Sequence, residues 1–255
     1  MGQTQKAILI LLGIAATMYL ILCVAVFVFQ RSLIYFPQPR SNQSAGIITL
    51  ETPSGTVLAS TRPHAGTDAL IYFGGNAEDV SQAIPDLSDA FPTHAIYSLH
   101  YPGYGGSPGS PSEQAIFTAA LALFDSVYAE HKNVVVIGRS LGTAVALRVA
   151  SSRPVERLVL VTPFDSLTDV AAQQFPYLPV RLLLRDRFES WRYAPHVTAP
   201  TKIIVAEQDE LIPRASTDRL LTRFKDGIAS YVIIPAAGHN TISDNPNYWS
   251  LLTSN

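Results

Sequence analysis

The sequence predicts an α/β protein in which a mostly parallel central sheet carries helices on both faces. Short apolar segments bounded by turn residues alternate with stretches long enough to form helices, and fully apolar strands are typical of sheets covered on both sides. A long uncharged stretch near the N-terminus predicts one further helix ahead of this sheet. With 255 residues the chain can bury one sizeable core, but it is too short for two ordinary α/β domains.

The composition excludes several classes of protein. The formal net charge is −2, so the chain lacks the excess of basic residues that is typical of nucleic-acid-binding proteins. Its single cysteine, Cys23, cannot form an intramolecular disulfide or a cysteine-rich metal site. The segment 101–109 (YPGYGGSPG) departs from the dinucleotide-binding pattern G-x-G-x-x-G, because Pro108 stands at the last glycine position. We therefore expect neither a metal nor a cofactor.

The uncharged stretch Ala7–Phe29 predicts an N-terminal membrane anchor. As a helix it would be about 34 Å long at about 1.5 Å per residue, against a hydrocarbon core of about 30 Å. Lys6 bounds the stretch on one side and Arg31 on the other. We assign residues 1–31 to the anchor, with the transmembrane span at about 7–29.

A cleaved signal peptide is the alternative interpretation of this stretch. The apolar region of a signal peptide is about 7–15 residues long and ends in small residues. The stretch here is longer and ends in Val-Phe-Val-Phe, so we expect an uncleaved single span. The basic residues on its two sides nearly balance, and they do not fix the side of the membrane on which the rest of the chain lies.

Strand patterns follow the anchor in order. Residues 46–52 and 55–60 form a predicted hairpin, and further strands are predicted at 69–73, 94–99, 134–138, 157–161, 201–206 and 230–235. The longest predicted helix covers 110–131, with Ser110 as its N-cap and Glu113 completing a capping box. The longest insertion between strands, 164–197, is too short for a domain and predicts a short cap. Sheet, helices and cap together form the second unit, residues 32–255.

A serine between two glycines marks the end of one predicted strand. The segment 134–150 (VVVIGRSLGTAVALRVA) reads as a buried strand, a Gly-Arg-Ser-Leu-Gly turn and a buried helix. Ligands bind beyond the carboxyl ends of parallel strands, so Ser140 is expected to be exposed at that edge. Gly138 and Gly142 leave room for the sharp turn. This is the G-x-S-x-G nucleophile elbow, and it predicts Ser140 as a nucleophile.

A serine hydroxyl needs a base, and the base needs an orienting acid. In this type of site the chain order is serine, acid, histidine. His239 follows the last predicted strand and is the predicted base, whereas His196 precedes a strand and is expected at the opposite edge. Asp209 follows strand 201–206 and is the predicted acid. Asp165 is the alternative, although a role in a turn would explain it sufficiently.

Two backbone N–H groups are expected to bind the negative charge that develops on the substrate oxygen. One belongs to Leu141, directly after the serine. The other is assigned to Asn76, in the turn YFGGNAED (72–79) that follows an earlier strand. Gly74 and Gly75 let the backbone of this turn approach the serine.

These motifs together resemble those of a known group of proteins. Their order resembles that of the membrane-anchored, short-cap α/β-hydrolases, a group that includes acyl-protein thioesterase-like and lysophospholipase-like serine hydrolases. The segments that carry this resemblance are the anchor followed by LIYFP, then YFGGNAED, YPGYGGSPGSPSE, GRSLGT, QDELIP and GHN. The resemblance implies a catalytic triad and two oxyanion donors: Ser140, Asp209 and His239, with Asn76 and Leu141. Members often carry His-Gly where this chain has Gly74-Gly75.

We expect a membrane-anchored serine hydrolase that cleaves carboxylic esters or thioesters. The substrate is expected to carry an acyl or lipid-type group. Apolar cap residues, among them Phe175, Leu183 and Trp191, would line an acyl groove; alternatively they pack the cap onto the sheet. Two other functions stay open. A serine peptidase would need an acidic anchor for a substrate amine or a larger gating domain, and we find neither. A binding protein without catalysis would have no use for serine, acid and histidine together.

Overall fold

A computed structural model describes residues 2–53 and 55–254 and contains one sheet of eight strands. The strands in chain order are β1 Gly46–Thr52, β2 Gly55–Arg62, β3 Asp68–Phe73, β4 Ala95–His100, β5 Asn133–Arg139, β6 Arg157–Val161, β7 Thr201–Ala206 and β8 Ala229–Ile234. Their order in the sheet is β1-β2-β4-β3-β5-β6-β7-β8. The β1–β2 and β2–β4 pairs are antiparallel and all others are parallel. The mostly parallel sheet is as predicted.

Eight α-helices accompany the sheet within the described residues. They are α1 Gln3–Ile34, α2 Ile84–Ala90, α3 Glu113–Glu130, α4 Leu141–Ala150, α5 Leu167–Gln174, α6 Val180–Leu183, α7 Arg214–Leu221 and α8 Tyr248–Thr253. The segment 164–197, called the cap below, contains α5, α6 and two short 3₁₀ turns, Ser190–Arg192 and Ala194–His196.

The start of α3 differs from the expectation. Its N-cap is Ser112, whose hydroxyl accepts a hydrogen bond from the Ala115 N–H at 3.2 Å, so the assignment of Ser110 was wrong. The carboxylate of Glu113 does not complete a capping box. It lies in the first turn of the helix and accepts a hydrogen bond from the backbone N–H of Arg187 in the cap at 2.8 Å.

The core consists of two apolar layers, one on each face of the sheet. Side chains alternate between the faces along β3: Ala69, Ile71 and Phe73 pack in the layer that contains α3 and α4, whereas Leu70 and Tyr72 pack in the layer that contains α2 and α8. Both faces are therefore covered, which explains why the parallel strands are apolar at nearly every position.

Helix α1 is one continuous helix that continues past the predicted span. It is long and apolar enough to cross a membrane, and most of its side chains are exposed. Its C-terminal part contacts the cap. The guanidinium of Arg31 donates to both carboxylate oxygens of Asp186, at 2.9 and 3.2 Å, and the Tyr35 hydroxyl donates to the same carboxylate at 3.1 Å.

A buried histidine ends strand β4. His100 is 2 % exposed, and its Nε2 lies 2.8 Å from the Ser60 hydroxyl. Burial lowers the pKa of His100 from its ordinary value of 6.5 to about 4. The unfolded chain therefore binds the proton more tightly than the folded chain does, and the stabilisation from neutral His100 is lost as the pH falls from about 6.5 towards about 4.

We predict that His100→Gln weakens the acid sensitivity of the fold. The amide can still donate to Ser60 but does not titrate. Between about pH 7 and pH 5, the free energy of unfolding of the wild type should fall by about 1–2 kcal/mol more than that of the variant. Urea unfolding of both full-length proteins at the two pH values measures this difference. Equal losses would mean that His100 titrates normally in the folded protein.

Candidate active site

The predicted nucleophile, acid and base all lie at the carboxyl edge of the sheet. Ser140 directly follows β5, Asp209 lies in the loop after β7, and His239 lies in the loop after β8. Parallel strands bring these loops to the same edge although the residues are far apart in the chain.

The backbone at Ser140 is strained, and its surroundings explain why. Ser140 has φ 51° and ψ −118°, a conformation that non-glycine residues rarely adopt. Its N–H donates to the Val161 carbonyl at 2.9 Å. A Cβ on Gly142 would collide with the Phe73 carbonyl oxygen, and a Cβ on Gly138 would lie 2.8 Å from that of Ala146. The two glycines therefore allow α4 to pack close enough to the sheet to form this turn.

The three side chains form one chain of hydrogen bonds. His239 Nε2 lies 2.9 Å from the Ser140 hydroxyl, and His239 Nδ1 lies 2.9 and 3.0 Å from the two carboxylate oxygens of Asp209. The side chains of His239 and Asp209 are 4 % and 6 % exposed. A carboxylate at Nδ1 orients the neutral ring so that Nε2 can accept the hydroxyl proton. The arrangement can therefore activate the serine for attack.

The structure also distinguishes Asp209 from the alternative acid. Asp165 is buried and its carboxylate has other partners, in an ion pair with Arg219 at 2.5 Å and in a hydrogen bond with the Ser216 hydroxyl at 2.6 Å. Its carboxylate also accepts the N–H of Ser166, the turn role considered above. His196 is exposed in a 3₁₀ turn that precedes β7, so it lies on the amino side of that strand.

Two further carboxylates shape the loops around His239, and sequence reasoning assigned them no role. Glu210 accepts a hydrogen bond from the His239 N–H at 3.0 Å, and Glu207 accepts one from the Ala236 N–H at 2.9 Å. Ala236 has φ 56°, so the turn after β8 is strained like that at Ser140. The only signal in the sequence is that both glutamates flank Asp209 in AEQDELIP.

The loop after β3 lies beside the serine. A Cβ on Gly75 would lie 3.7 Å from the Ser140 Cβ, and the Gly75 N–H donates to Glu78 at 2.9 Å. Within residues 2–53 and 55–254, the backbone N–H groups of Asn76 and Leu141 donate no hydrogen bond. Both N–H groups are therefore free to bind an oxygen atom of a ligand.

The end of α1 holds this loop, which the sequence did not indicate. The Asn76 side chain donates to the carbonyl of Ile34, the last residue of α1, at 2.8 Å. The Asn76 carbonyl accepts the Phe36 N–H at 3.1 Å and the Tyr104 hydroxyl at 2.7 Å. The Tyr101 hydroxyl fixes the same loop at the Gly74 carbonyl, at 2.8 Å.

The three residues predicted to line an acyl groove all lie on the cap. Phe175 is 54 % exposed, Leu183 is half-buried, and Trp191 is 37 % exposed. Trp191 borders a cavity of about 360 Å³ whose walls also carry Arg219 and Arg223. The larger cavity, about 880 Å³, lies at the opposite edge of the sheet, where the parallel strands begin. The groove stays a prediction.

No metal site is evident in the part of the chain that the structure describes: no group of three or more His, Cys, Asp or Glu side chains there could hold an ion.

Comparisons with known proteins identify the family. Residues 64–196 match the Alpha/beta hydrolase family, and the chain belongs to it. An uncharacterized protein of Mycobacterium tuberculosis is 35 % identical over 228 residues, covering 83 % of this chain and 80 % of that protein. The alpha/beta hydrolase domain-containing protein aho-3 of Caenorhabditis elegans is 31 % identical, covering 72 % of this chain and 56 % of that protein.

A solved structure agrees with the fold. The esterase Pf2001 of Pyrococcus furiosus superposes with a TM-score of 0.67 at 16 % identity, covering 85 % of this chain and 93 % of that one. At this identity the likeness concerns the fold alone. The sheet, its helices and the position of the elbow are those of an α/β-hydrolase fold, as the sequence motifs implied.

We predict that Asp209→Asn and Asp165→Asn have different effects. Asp209→Asn removes the carboxylate that orients His239 and should lower kcat for a short p-nitrophenyl ester by about 10³–10⁴-fold. Asp165→Asn breaks the ion pair with Arg219 and no hydrogen bond of His239, so it should lower the melting temperature while leaving most of kcat. Steady-state kinetics and thermal unfolding of both variants measure the two effects. If Asp165→Asn lost most of its kcat while Asp209→Asn kept the wild-type kcat, the acid would be Asp165.

Proposed function

We propose that the chain is a membrane-anchored serine hydrolase that cleaves carboxylic esters or thioesters through an acyl-enzyme. The observation that carries this proposal is the hydrogen-bonded series Ser140–His239–Asp209 beside two backbone N–H groups without an internal partner. A nucleophile, a base, an oriented acid and an oxyanion site are the parts that acyl transfer requires. Membership of the alpha/beta hydrolase family supports a hydrolytic reaction.

The geometry supports the following sequence of steps. The Ser140 oxygen attacks the substrate carbonyl while its proton passes to His239 Nε2. The N–H groups of Leu141 and Asn76 stabilise the oxyanion, and Asp209 stabilises the imidazolium. His239 then protonates the leaving alkoxide or thiolate, which departs and leaves an acyl-serine. Water, deprotonated by His239, attacks this ester and releases the carboxylic acid with Ser140 restored.

The anchoring part of the proposal rests on α1 and its contacts. A signal peptide that is removed makes no lasting contact with the mature protein. Here the Tyr19 hydroxyl donates to the Tyr177 carbonyl of the cap at 2.8 Å, and the Arg185 guanidinium of the cap lies over the Phe27 ring. These contacts favour a retained helix, because cleavage after the apolar stretch would remove both of them.

We predict that a fluorophosphonate probe labels the wild-type protein at Ser140. Ser140→Ala should abolish labelling and lower kcat for a short p-nitrophenyl ester by about 10⁴–10⁶-fold, and adding His239→Ala should cost little more, because the residues act as a unit. Thr143→Val, which removes a hydroxyl bonded only to the Ser140 carbonyl, serves as a control near the site. Labelling of Ser140→Ala at the wild-type rate would place the nucleophile elsewhere. A protein that neither labels nor hydrolyses esters would favour the non-catalytic binding function.

A lipid-type acyl substrate is the finer part of the proposal, and chain length tests it. Each buried CH₂ contributes about 0.8 kcal/mol, so four added methylenes could contribute about 3 kcal/mol. We predict that kcat/KM rises from C2 to at least C6–C8 esters, and that Leu183→Ala or Trp191→Ala flattens this rise more than it lowers C2 activity. A steady decrease with chain length would leave a hydrolase of small esters. Cleavage of peptide amides in addition to esters would favour the peptidase.

A further inference from the structure

The most exposed apolar side chains outside α1 lie together on the cap. Among the described residues, Tyr177 is 89 % exposed, Leu182 is 82 % exposed and Phe175 is 54 % exposed. We call residues 175–183 the cap tip. Exposed apolar residues of this size, gathered in one short segment, are typical of a surface that binds an apolar partner.

The cap tip lies along α1. The Tyr19 hydroxyl donates to the Tyr177 carbonyl at 2.8 Å, and the Gln30 amide donates to the Leu183 carbonyl at 3.1 Å. Tyr19 and Gln30 are separated by about 16 Å along the helix axis, at about 1.5 Å per residue. The cap tip therefore follows about three turns of the helix rather than touching only its end.

These contacts determine the depth of the cap tip if the helix is in a membrane. Tyr19 lies in the middle of the apolar stretch 7–29, and the carbonyl of Tyr177 is hydrogen-bonded to it. A bilayer that surrounds α1 up to Phe29 must also surround the cap tip. We propose that the cap tip inserts into the lipid leaflet beside the anchor and that the cap is a second membrane-binding element of this protein. The inference rests on the proposed membrane anchor.

The charges next to the cap tip fit a leaflet that contains anionic phospholipid. From Val170 to Arg185 the chain has no Asp or Glu, and Arg181 and Arg185 are both exposed. Arg181 is ion-paired with Asp169, directly before this range, so the positive charge of the border comes mainly from Arg185. The Arg185 guanidinium lies over the Phe27 ring at 5.6 Å, so it sits beside the end of the apolar stretch, where lipid phosphates would be. The next acid, Asp186, is buried against Arg31. An apolar tip with a basic border is the pattern of a segment that lies in the membrane interface.

The consequence concerns how substrate reaches the site. The cap begins directly after β6, at the sheet edge that carries Ser140, and its tip makes the proposed lipid contact. An inserted cap tip lets an acyl chain pass from the leaflet to the protein without crossing water. Substrates held in the bilayer should therefore depend on the cap tip, whereas dissolved substrates should not.

Spin labels test the depth directly, because Cys23 is the single cysteine of the chain. In a Cys23→Ala background that still reacts with the fluorophosphonate probe, labels are attached to Leu182→Cys, Leu11→Cys and Ile233→Cys. Leu11 lies in the anchor, and Ile233, 41 % exposed on β8, is the control on the sheet. The full-length proteins are placed in vesicles of phosphatidylcholine with and without phosphatidylglycerol, and collisions with oxygen and with a water-soluble nickel chelate are measured.

We expect the labels at Leu182 and Leu11 to collide frequently with oxygen and rarely with the nickel chelate. The label at Ile233 should collide frequently with the nickel chelate. A label at Leu182 as accessible to nickel as that at Ile233, with Leu11 still in lipid, would overturn the cap-tip proposal alone. If Leu11 were also in water, the proposed anchor would fail as well. A label at Leu182 shielded from both reagents would show a protein partner or a second copy, which also overturns the proposal.

A kinetic experiment tests the consequence with matched variants. Leu182→Asp should lower kcat/KM for a long-chain ester embedded in vesicles by about tenfold and leave kcat/KM for a dissolved short ester unchanged, because a carboxylate opposes insertion. Ile233→Asp introduces the same charge on the sheet and should change neither value. Equal losses for both substrates in Leu182→Asp, or no loss for the embedded ester, would contradict the proposal.

Discussion

The site depends on one steric constraint, the close approach of α4 to the sheet at the turn around Ser140. The carbonyl of Phe73 occupies the space where a Gly142 side chain would be, and nearly every residue of α4 is buried. With α4 fixed there, the chain must reverse within one residue, and Ser140 adopts φ 51°. The strain is maintained by the packing of the core and by the backbone hydrogen bonds of Ser140 with Val161 and Thr143, which leave the hydroxyl to meet His239.

Carboxylates give the surrounding loops their shape. Glu78, Glu207 and Glu210 each accept a backbone N–H, from Gly75, Ala236 and His239. Beyond the ends of parallel strands the ladder hydrogen bonds stop, and backbone N–H groups there need other acceptors. The loop of Asn76, the proposed oxyanion donor, and the loop of His239, the proposed base, are both held by such carboxylates. Asp209 differs from the three glutamates because, besides the N–H groups of its own loop, it reaches the ring of His239.

The features that the sequence predicted correctly are those in which a local pattern implies a local structure. Apolar segments formed the strands, and the glycines around Ser140 formed its turn, because each depends on neighbouring residues. Features that depend on distant partners were not predictable in the same way. Either Ser110 or Ser112 satisfies the rule for an N-cap; the structure uses Ser112, and the carboxylate of Glu113, which would have completed a capping box with Ser110, binds Arg187 of the cap instead. Asp165 and Asp209 both follow strands, and the pairing of Asp165 with Arg219 separates their roles. The docking of α1 left no local signal.

The docking of α1 joins three parts that the sequence presents as separate: the predicted anchor, the cap and the loop of Asn76. Tyr35 is buried, with its ring edge against Phe188 of the cap, and its hydroxyl shares Asp186 with Arg31. Directly before Tyr35, Ile34 binds the side chain of Asn76. A tilt of α1 would therefore move the cap and the loop beside Ser140 together, because the same few residues hold both. If the proposed anchor lies in a bilayer, this junction connects it to the cap and to the loop beside Ser140 by direct contacts rather than by a flexible tether.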